Sequence, residues 1–160
     1  MAKIFKSQKE LESFLMKQSR QALLKAQDKV YNVIKQFVYK FYTEFTPDEY
    51  IRTRRLLESL VQSRIISEGK GYKVEVYFDV SGLNYDQGVM ELQHTPEHGR
   101  YGWATWDGET VLRVAMESEV PHGGHEGGTA IWKASKAKLD AEAIDILVNM
   151  LRAEGVPIKK

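Results

Sequence analysis

The chain has 160 residues, a formal net charge of +1 and no cysteine. This length suits one domain with a buried core, and 42% hydrophobic with 28% charged residues is the composition of a globular protein rather than a disordered one. The near balance of 23 basic and 22 acidic residues argues against a protein that coats nucleic acid. The lack of cysteine excludes disulfide frameworks, thiolate zinc sites and cysteine nucleophiles. No apolar run of the signal-peptide or membrane-spanning type occurs, which predicts a soluble protein without a membrane partner.

The first 45 residues predict a helical arm. Ser7 to Glu10 form a capping box that begins a helix near Gln8. Apolar residues then recur three, four or seven apart without Pro or Gly, either in one long helix or in two helices that meet between Gln18 and Gln21. In the second half, aromatic residues widen the apolar surface beyond one face. Such a helix packs on two sides or directs one face to another subunit, and the candidates for that contact are Phe37, Tyr39 and Tyr42.

The next 35 residues predict a second helix followed by a β-hairpin. Thr46 is a suitable N-cap, and the helix is expected to run from residue 47 to 62, with Leu56, Leu57, Leu60 and Val61 on its apolar face. From Tyr72 the apolar period changes to two, which predicts a half-buried strand up to Val80. The glycines at 69 and 71 suit the intervening turn.

The second half of the chain predicts more sheet and a closing helix. Long loops are expected at 81–102 and 119–128, with strands at 101–113 and 129–132 and a two-residue turn at Asp107-Gly108. A last helix is expected from Ser135 to Glu154, with Gly155 as its left-handed cap. Its predicted inner face consists of Leu139, Ala143, Ile144, Leu147, Met150 and Leu151.

These elements predict an α+β fold in a single domain, residues 1–160. We expect a helical arm over 1–62, comprising the long N-terminal helix and the second helix. An antiparallel sheet of about four to five strands follows within 63–133, and the C-terminal helix at 135–155 packs on that sheet.

The one cluster of possible metal ligands lies in the predicted loops. Its members are His94, His98, His122, His125 and Glu126. The histidines at 122 and 125 stand between glycine pairs rather than on one helix face, so the spacing favours a tight loop over a metal site. The sequence also contains no P-loop and no nucleophile elbow. We therefore predict neither an enzyme nor a cofactor.

A group of residues in the middle of the chain resembles a known family. Arg52-Thr53, Leu56 and Ser59-Leu60, followed by a hairpin and the strand VEVYFD, resemble the Arg-Thr-Gly-x-Leu-x-x-Ser-Ile pattern of the phage tail-completion, or head–tail joining, family. His122-Gly123-Gly124 is similar to a late element in members from phages of Gram-positive hosts. Arg54 stands where the family often has Gly, so a continuous helix is expected here in place of the family's turn.

The resemblance implies a structural virion protein without enzymatic activity. Members assemble as a homo-oligomeric ring, here expected to be a hexamer, at the neck of long-tailed bacteriophages. The ring links the head connector or stopper to the tail tube or terminator, and DNA passes through its lumen without sequence-specific binding. The protein would thus be made in the host cytoplasm and located in the virion, at the head–tail junction.

Residues for the ring contacts follow from their positions. Beside the three aromatic candidates, they are Arg52, Arg55, Arg64, Tyr85, His122, Gly123 and Gly124. The arginines are candidates for salt bridges between subunits, and the others lie in the two long loops.

Three alternatives remain open at this point. The chain could be a tail terminator or another neck component, since these use similar small α+β subunits. It could be a small metal-dependent hydrolase or nuclease that uses the histidines and Glu126. It could also be a ligand-binding domain with a pocket walled by Trp103, Trp106 and Trp132.

Overall fold

The computed structural model describes residues 4–43, 54–69, 71–83, 107–117 and 131–158. In chain order these residues form the helices and strands α1 (Gln8–Thr43), α2 (Arg55–Glu58), β1 (Leu60–Gln62), β2 (Ile66–Glu68), β3 (Gly71–Lys73), β4 (Val76–Phe78), a 3-10 turn (Val80–Gly82), α3 (Gly108–Glu117) and α4 (Ile131–Ala153). Helices and antiparallel strands occupy separate stretches of the chain, which confirms the α+β class. The predicted loops lie largely outside the described residues.

The helix α1 is a single element of 36 residues with no break between Gln18 and Gln21. Its start follows the predicted capping box. The Ser7 hydroxyl accepts a hydrogen bond from the Glu10 backbone N–H at 3.2 Å, and the Glu10 carboxylate accepts one from the Lys6 backbone N–H at 2.9 Å. The first bond satisfies an orphan N–H of the first turn, and the second holds the residue before the N-cap against the helix.

The four strands belong to one hairpin with a break in its ladder. β1 pairs with β4 and β2 pairs with β3, both antiparallel, and Gly69 supplies a positive φ of 57° at the turn. The register changes by one residue between the two strand pairs, because three residues on one side (63–65) lie opposite two on the other (74–75). This extra residue is a β-bulge. Leu60 and Val61, which we predicted to be helical, instead belong to β1, because the second helix ends at Glu58.

A buried glutamine on α1 stabilises the hairpin at this bulge. The Gln27 side chain is only 4% exposed, and its Nε2 donates hydrogen bonds to the carbonyls of Ser63 at 3.0 Å and of Glu75 at 2.8 Å. The Ser63 hydroxyl accepts the Glu75 N–H at 2.8 Å, the place that the Ser63 carbonyl would take in a regular ladder. The carbonyl is therefore free to bond Gln27.

Gly108 was predicted in a two-residue turn and residues 109–113 in a strand, but all of them belong to the helix α3, which runs from Gly108 to Glu117. Leu112 packs against the core and Met116, one helical turn later, is buried, so the apolar period here is that of a helix. Gly108 is needed for close packing rather than for a turn. A Cβ at this position would lie 2.0 Å from the Val80 carbonyl oxygen.

The last helix begins earlier than predicted. Ile131 and Trp132, expected in a strand, form its first turn, and the buried Ser135 hydroxyl donates to the Ile131 carbonyl at 2.6 Å. Its end is as predicted: Gly155 has a φ of 80°, and Val156 N–H bonds the Leu151 carbonyl at 3.0 Å in a Schellman motif.

The packing of α4 differs from the expectation that it lies on the sheet. Among the described elements, α4 contacts mainly α1 and also α3, while α1 also contacts the hairpin. The predicted inner face is partly wrong as well. Ile144 is 78% exposed and Leu147 is 39% exposed, whereas Leu139 packs against the core. The buried positions Ile131 and Ser135 continue to Leu139 at intervals of four, so this stripe is the one that faces inward.

The core forms where α1, the hairpin, α3 and the start of α4 meet. Its buried members are Ile34, Val38, Leu56, Leu60, Leu83, Met116 and Ile131. No helix in the described parts of the chain has the length and apolar character needed to cross a membrane.

Replacing Gln27 tests the bond between α1 and the hairpin. Gln27→Glu keeps the side-chain shape, but an ionised carboxylate cannot donate to two carbonyls. We expect the free energy of unfolding at neutral pH, measured by urea denaturation, to fall by about 2–4 kcal/mol. The loss should shrink as the pH falls and the acid is protonated. Gln36→Glu, at an exposed position on the same helix, is the matched control and should change stability by less than about 0.5 kcal/mol.

Replacing Gly108 tests the contact between α3 and the 3-10 turn. Gly108→Ala places a methyl group against backbone atoms of Val80, so one element must move. We expect the free energy of unfolding to fall by about 3 kcal/mol. Gly82→Ala, in the same 3-10 turn, has no atom within 4 Å of its added Cβ and should be close to neutral. Equal effects of the two substitutions in a thermal melt would contradict the close packing at Gly108.

Candidate assembly surface

Three of the residues that resemble the family pattern, Leu56, Ser59 and Leu60, lie at the junction of α2 and β1, and Arg52 and Thr53 lie outside the described residues. Leu56, Ser59 and Leu60 are all buried. The Ser59 hydroxyl donates to the Leu56 carbonyl at 2.8 Å, and the Ser59 carbonyl accepts the Asp79 N–H at 2.7 Å. Ser59 thus ends the helix with its side chain and begins the β ladder with its backbone. The pattern describes a helix-to-strand corner that is fixed in the core.

The residue before α2 adopts a conformation that glycine favours. Arg54 has a φ of 59° and a ψ of 11°, and among the described residues it is the one non-glycine residue with a positive φ. Its carbonyl accepts the N–H groups of Leu57 at 3.0 Å and Glu58 at 3.2 Å. The expectation of a continuous helix through Arg54 is therefore wrong. The chain turns here, although an arginine occupies the position.

The predicted aromatic candidates differ in how much surface they offer. Phe37 and Tyr42 are half-buried and pack against the core. Tyr39 is 47% exposed, and the Lys35 ammonium lies 5.9 Å from its ring centroid and 5.5 Å from that of Tyr31. This arrangement is a cation–π contact on the surface of α1. Tyr39 is the aromatic candidate that remains available to a partner.

The other predicted site residues are placed only in part. Arg55 and Arg64 are exposed, the first at the start of α2 and the second between β1 and β2. Those that lie outside the described residues are Arg52, Tyr85, His122, Gly123 and Gly124. The same holds for the possible metal ligands His94, His98, His125 and Glu126. Trp103 and Trp106 also lie outside, and Trp132 is 51% exposed on α4. Within the stretches that the structure describes, no three His, Asp or Glu side chains are close enough to hold a metal ion.

One surface that the sequence did not single out is the N-terminal end of α1. A Lys25–Glu154 ion pair marks where the end of α4 lies beside α1, so more than four turns of α1 precede that point. In this stretch Leu11 and Leu15 are 38% and 36% exposed. Leu11 and Leu15 are about three and two helical turns before Ala22, so they lie on the same face of α1 as this fully buried residue. The stripe that includes Ala22 thus continues, with partly exposed leucines, along residues 8–24 of α1, the segment we call the free end of α1.

A second surface is the outer face of residues 73–79, the segment that contains β4. Lys73, Glu75, Tyr77 and Asp79 alternate with core-facing residues, as the period of two predicted. A hydrogen bond to Glu75 and its negative charge raise the pKa of Lys73, and the two groups are 2.6 Å apart. Hydrogen bonds from Ser81, whose N–H lies 3.0 Å from the carboxylate, lower the pKa of Asp79. This face therefore carries both charge signs beside an exposed tyrosine.

Comparisons of the chain with protein-family models, with curated proteins and with solved structures gave no match.

Substitution of Arg54 tests whether its backbone is under strain. A non-glycine residue in the left-handed region costs about 1–2 kcal/mol, and glycine removes this cost at the expense of a more flexible unfolded chain. We expect Arg54→Gly to raise the free energy of unfolding by about 0.5–1 kcal/mol. Arg64→Gly, at an exposed position without a positive φ, is the control and should lower it slightly. A loss of stability in Arg54→Gly would mean that the arginine is not strained.

Proposed function

We propose that this chain is a structural subunit of a bacteriophage neck, of the tail-completion or head–tail joining kind. In this proposal it forms a ring between the head connector and the tail tube and has no catalytic role. The observation that carries it is the backbone of Arg54. This residue stands where the resembled pattern has Gly, and its φ of 59° is one that glycine adopts without cost.

The surroundings of Arg54 support the same interpretation. The pattern positions after it, Leu56, Ser59 and Leu60, form the corner from which the hairpin starts. The order of elements also agrees with the resemblance, because a long helix precedes the corner and a C-terminal helix closes the described fold. The α3 helix is a departure from it, since the resemblance implies sheet in this part of the chain.

A ring subunit needs a contact surface that stays exposed in the free protein. The free end of α1 is such a surface, because Leu11 and Leu15 keep more than a third of their area exposed. Tyr39 adds an exposed aromatic side chain further along the same helix. Partly exposed apolar and aromatic side chains of this kind are enriched at protein interfaces. We propose that head-to-tail contacts through α1 close the ring.

Light scattering of the purified protein tests the proposal. We expect a discrete, closed oligomer, visible as a ring by negative-stain electron microscopy. Metal content should be measured on the same sample. A monomer at every concentration up to about 1 mM, or stoichiometric bound zinc, would contradict the proposal.

A pair of variants tests whether α1 makes the contact. Leu15→Lys places a charge in the exposed apolar stripe and should dissociate the ring, since an unpaired buried charge costs several kcal/mol at an interface. Ser13→Lys adds the same charge on another face of the same helical segment and should leave the ring intact. At concentrations low enough to dissociate the wild-type ring, both variants should unfold at the wild-type urea concentration, because both positions are exposed in the subunit.

A further inference from the structure

One edge of β4 is unpaired in the part of the chain that the structure describes. On the paired side, Asp79 N–H donates to the Ser59 carbonyl at 2.7 Å and Ser63 N–H donates to the Glu75 carbonyl at 2.9 Å. Backbone groups alternate in direction along an antiparallel strand, so those of Val76 and Phe78 point away from β1. No described segment bonds them on that side.

The side chains beside this edge suit contact with another strand. Val76 and Phe78 are only half-buried although they pack against the core, and Tyr77 is 49% exposed on the outer face. Lys73 and Asp79 lie on that same outer face, at its two ends. A strand edge that no described segment pairs is a template for an added strand.

We propose that β4 pairs along this edge, antiparallel, with β4 of a second copy of the chain. The pairing has two-fold symmetry and is centred on Val76. Val76 then lies opposite its own counterpart, and Val74 lies opposite the second copy's Phe78. The outward N–H and C=O groups of these residues would form about six backbone hydrogen bonds.

The charges of the outer face select this register. With Val76 at the centre, Lys73 lies opposite the second copy's Asp79, and the symmetry makes this attraction twice. A pairing centred on Glu75 would place two Glu75 carboxylates opposite each other. A pairing centred on Tyr77 would place Glu75 opposite Asp79. Like charges directly opposite are destabilising and opposite charges are stabilising, so of these three registers only the first is self-complementary.

The symmetry of this contact separates it from the proposed ring. A two-fold contact closes after two copies and cannot propagate around a ring. The contact is also small, which places it in the weak, transient class. We assign it to the free subunit, where it covers the β4 edge. The β4 pairing involves none of the residues at the free end of α1, so it does not depend on whether the ring forms.

A charge swap tests the pairing. All proteins carry Leu15→Lys to suppress contacts through α1, and their association is measured by sedimentation equilibrium between about 10 μM and 1 mM. We expect dimers whose association weakens roughly tenfold or more in Lys73→Glu, because both attractions become repulsions. Asp79→Asn, which keeps an acceptor for the Ser81 N–H, should weaken it less. The double variant Lys73→Glu with Asp79→Lys should regain most of the association. Lys29→Glu, an equal charge change at an exposed position on α1, should leave it unchanged.

Hydrogen exchange measured by NMR tests the backbone contact directly. The Val76 and Phe78 amides should exchange fast in dilute protein and become protected as the concentration rises. The Tyr77 amide, which faces β1, should be slow throughout. A protein that stays monomeric at 1 mM, a dimer with unprotected Val76 and Phe78 amides, or a double variant that stays dissociated would each overturn the pairing. A wild-type protein that forms the ring while its Leu15→Lys variant stays monomeric at 1 mM would overturn the pairing and leave the proposed function intact. A β4 dimer without a ring would do the reverse.

Discussion

The fold depends on two hydrogen bonds from one side chain. Gln27 lies near the middle of α1 and donates to the carbonyls of Ser63 and Glu75, where the hairpin ladder changes register. A bulge leaves a carbonyl without a ladder partner, and a buried carbonyl without a partner costs about 1–3 kcal/mol. By supplying the donor, α1 fixes both the position of the bulge and the face of the hairpin that turns to the core. Hydrophobic packing favours the same face, because a slip by one residue would turn the apolar side chains of a strand to solvent.

Features that depend on neighbours in sequence were predicted well, and features that depend on distant parts of the chain were not. The capping box at Ser7, the cap at Gly155 and the two-residue period before Val80 each require only a few adjacent residues. Gly108 shows the opposite case. Asp-Gly followed by β-branched residues has the pattern of a hairpin turn, yet the absent Cβ serves to admit the Val80 carbonyl. That contact joins residues 28 positions apart, and no local pattern contains it.

The candidate site divides in the same way. The buried pattern at Leu56, Ser59 and Leu60 was visible in the sequence, but the turn at Arg54 was not, because arginine gives no sign of a left-handed backbone. Gln27 was equally hidden, since a glutamine on a long helix is normally solvated. Leu11 and Leu15 belong to the apolar stripe that the spacing along α1 shows. Their exposure depends on where α4 ends, which the amino-acid pattern of α1 does not contain.

The unbroken course of α1 also limits how this protein can change in length. A single residue inserted between Leu15 and Ala22 would rotate the free end by about 100° relative to the core, so its apolar stripe would point away from its present direction. Seven inserted residues would return that stripe to within about 20° and move it outward by about 10 Å. Natural variation in this segment is therefore expected to come in steps of about two helical turns, with single insertions confined to the loops.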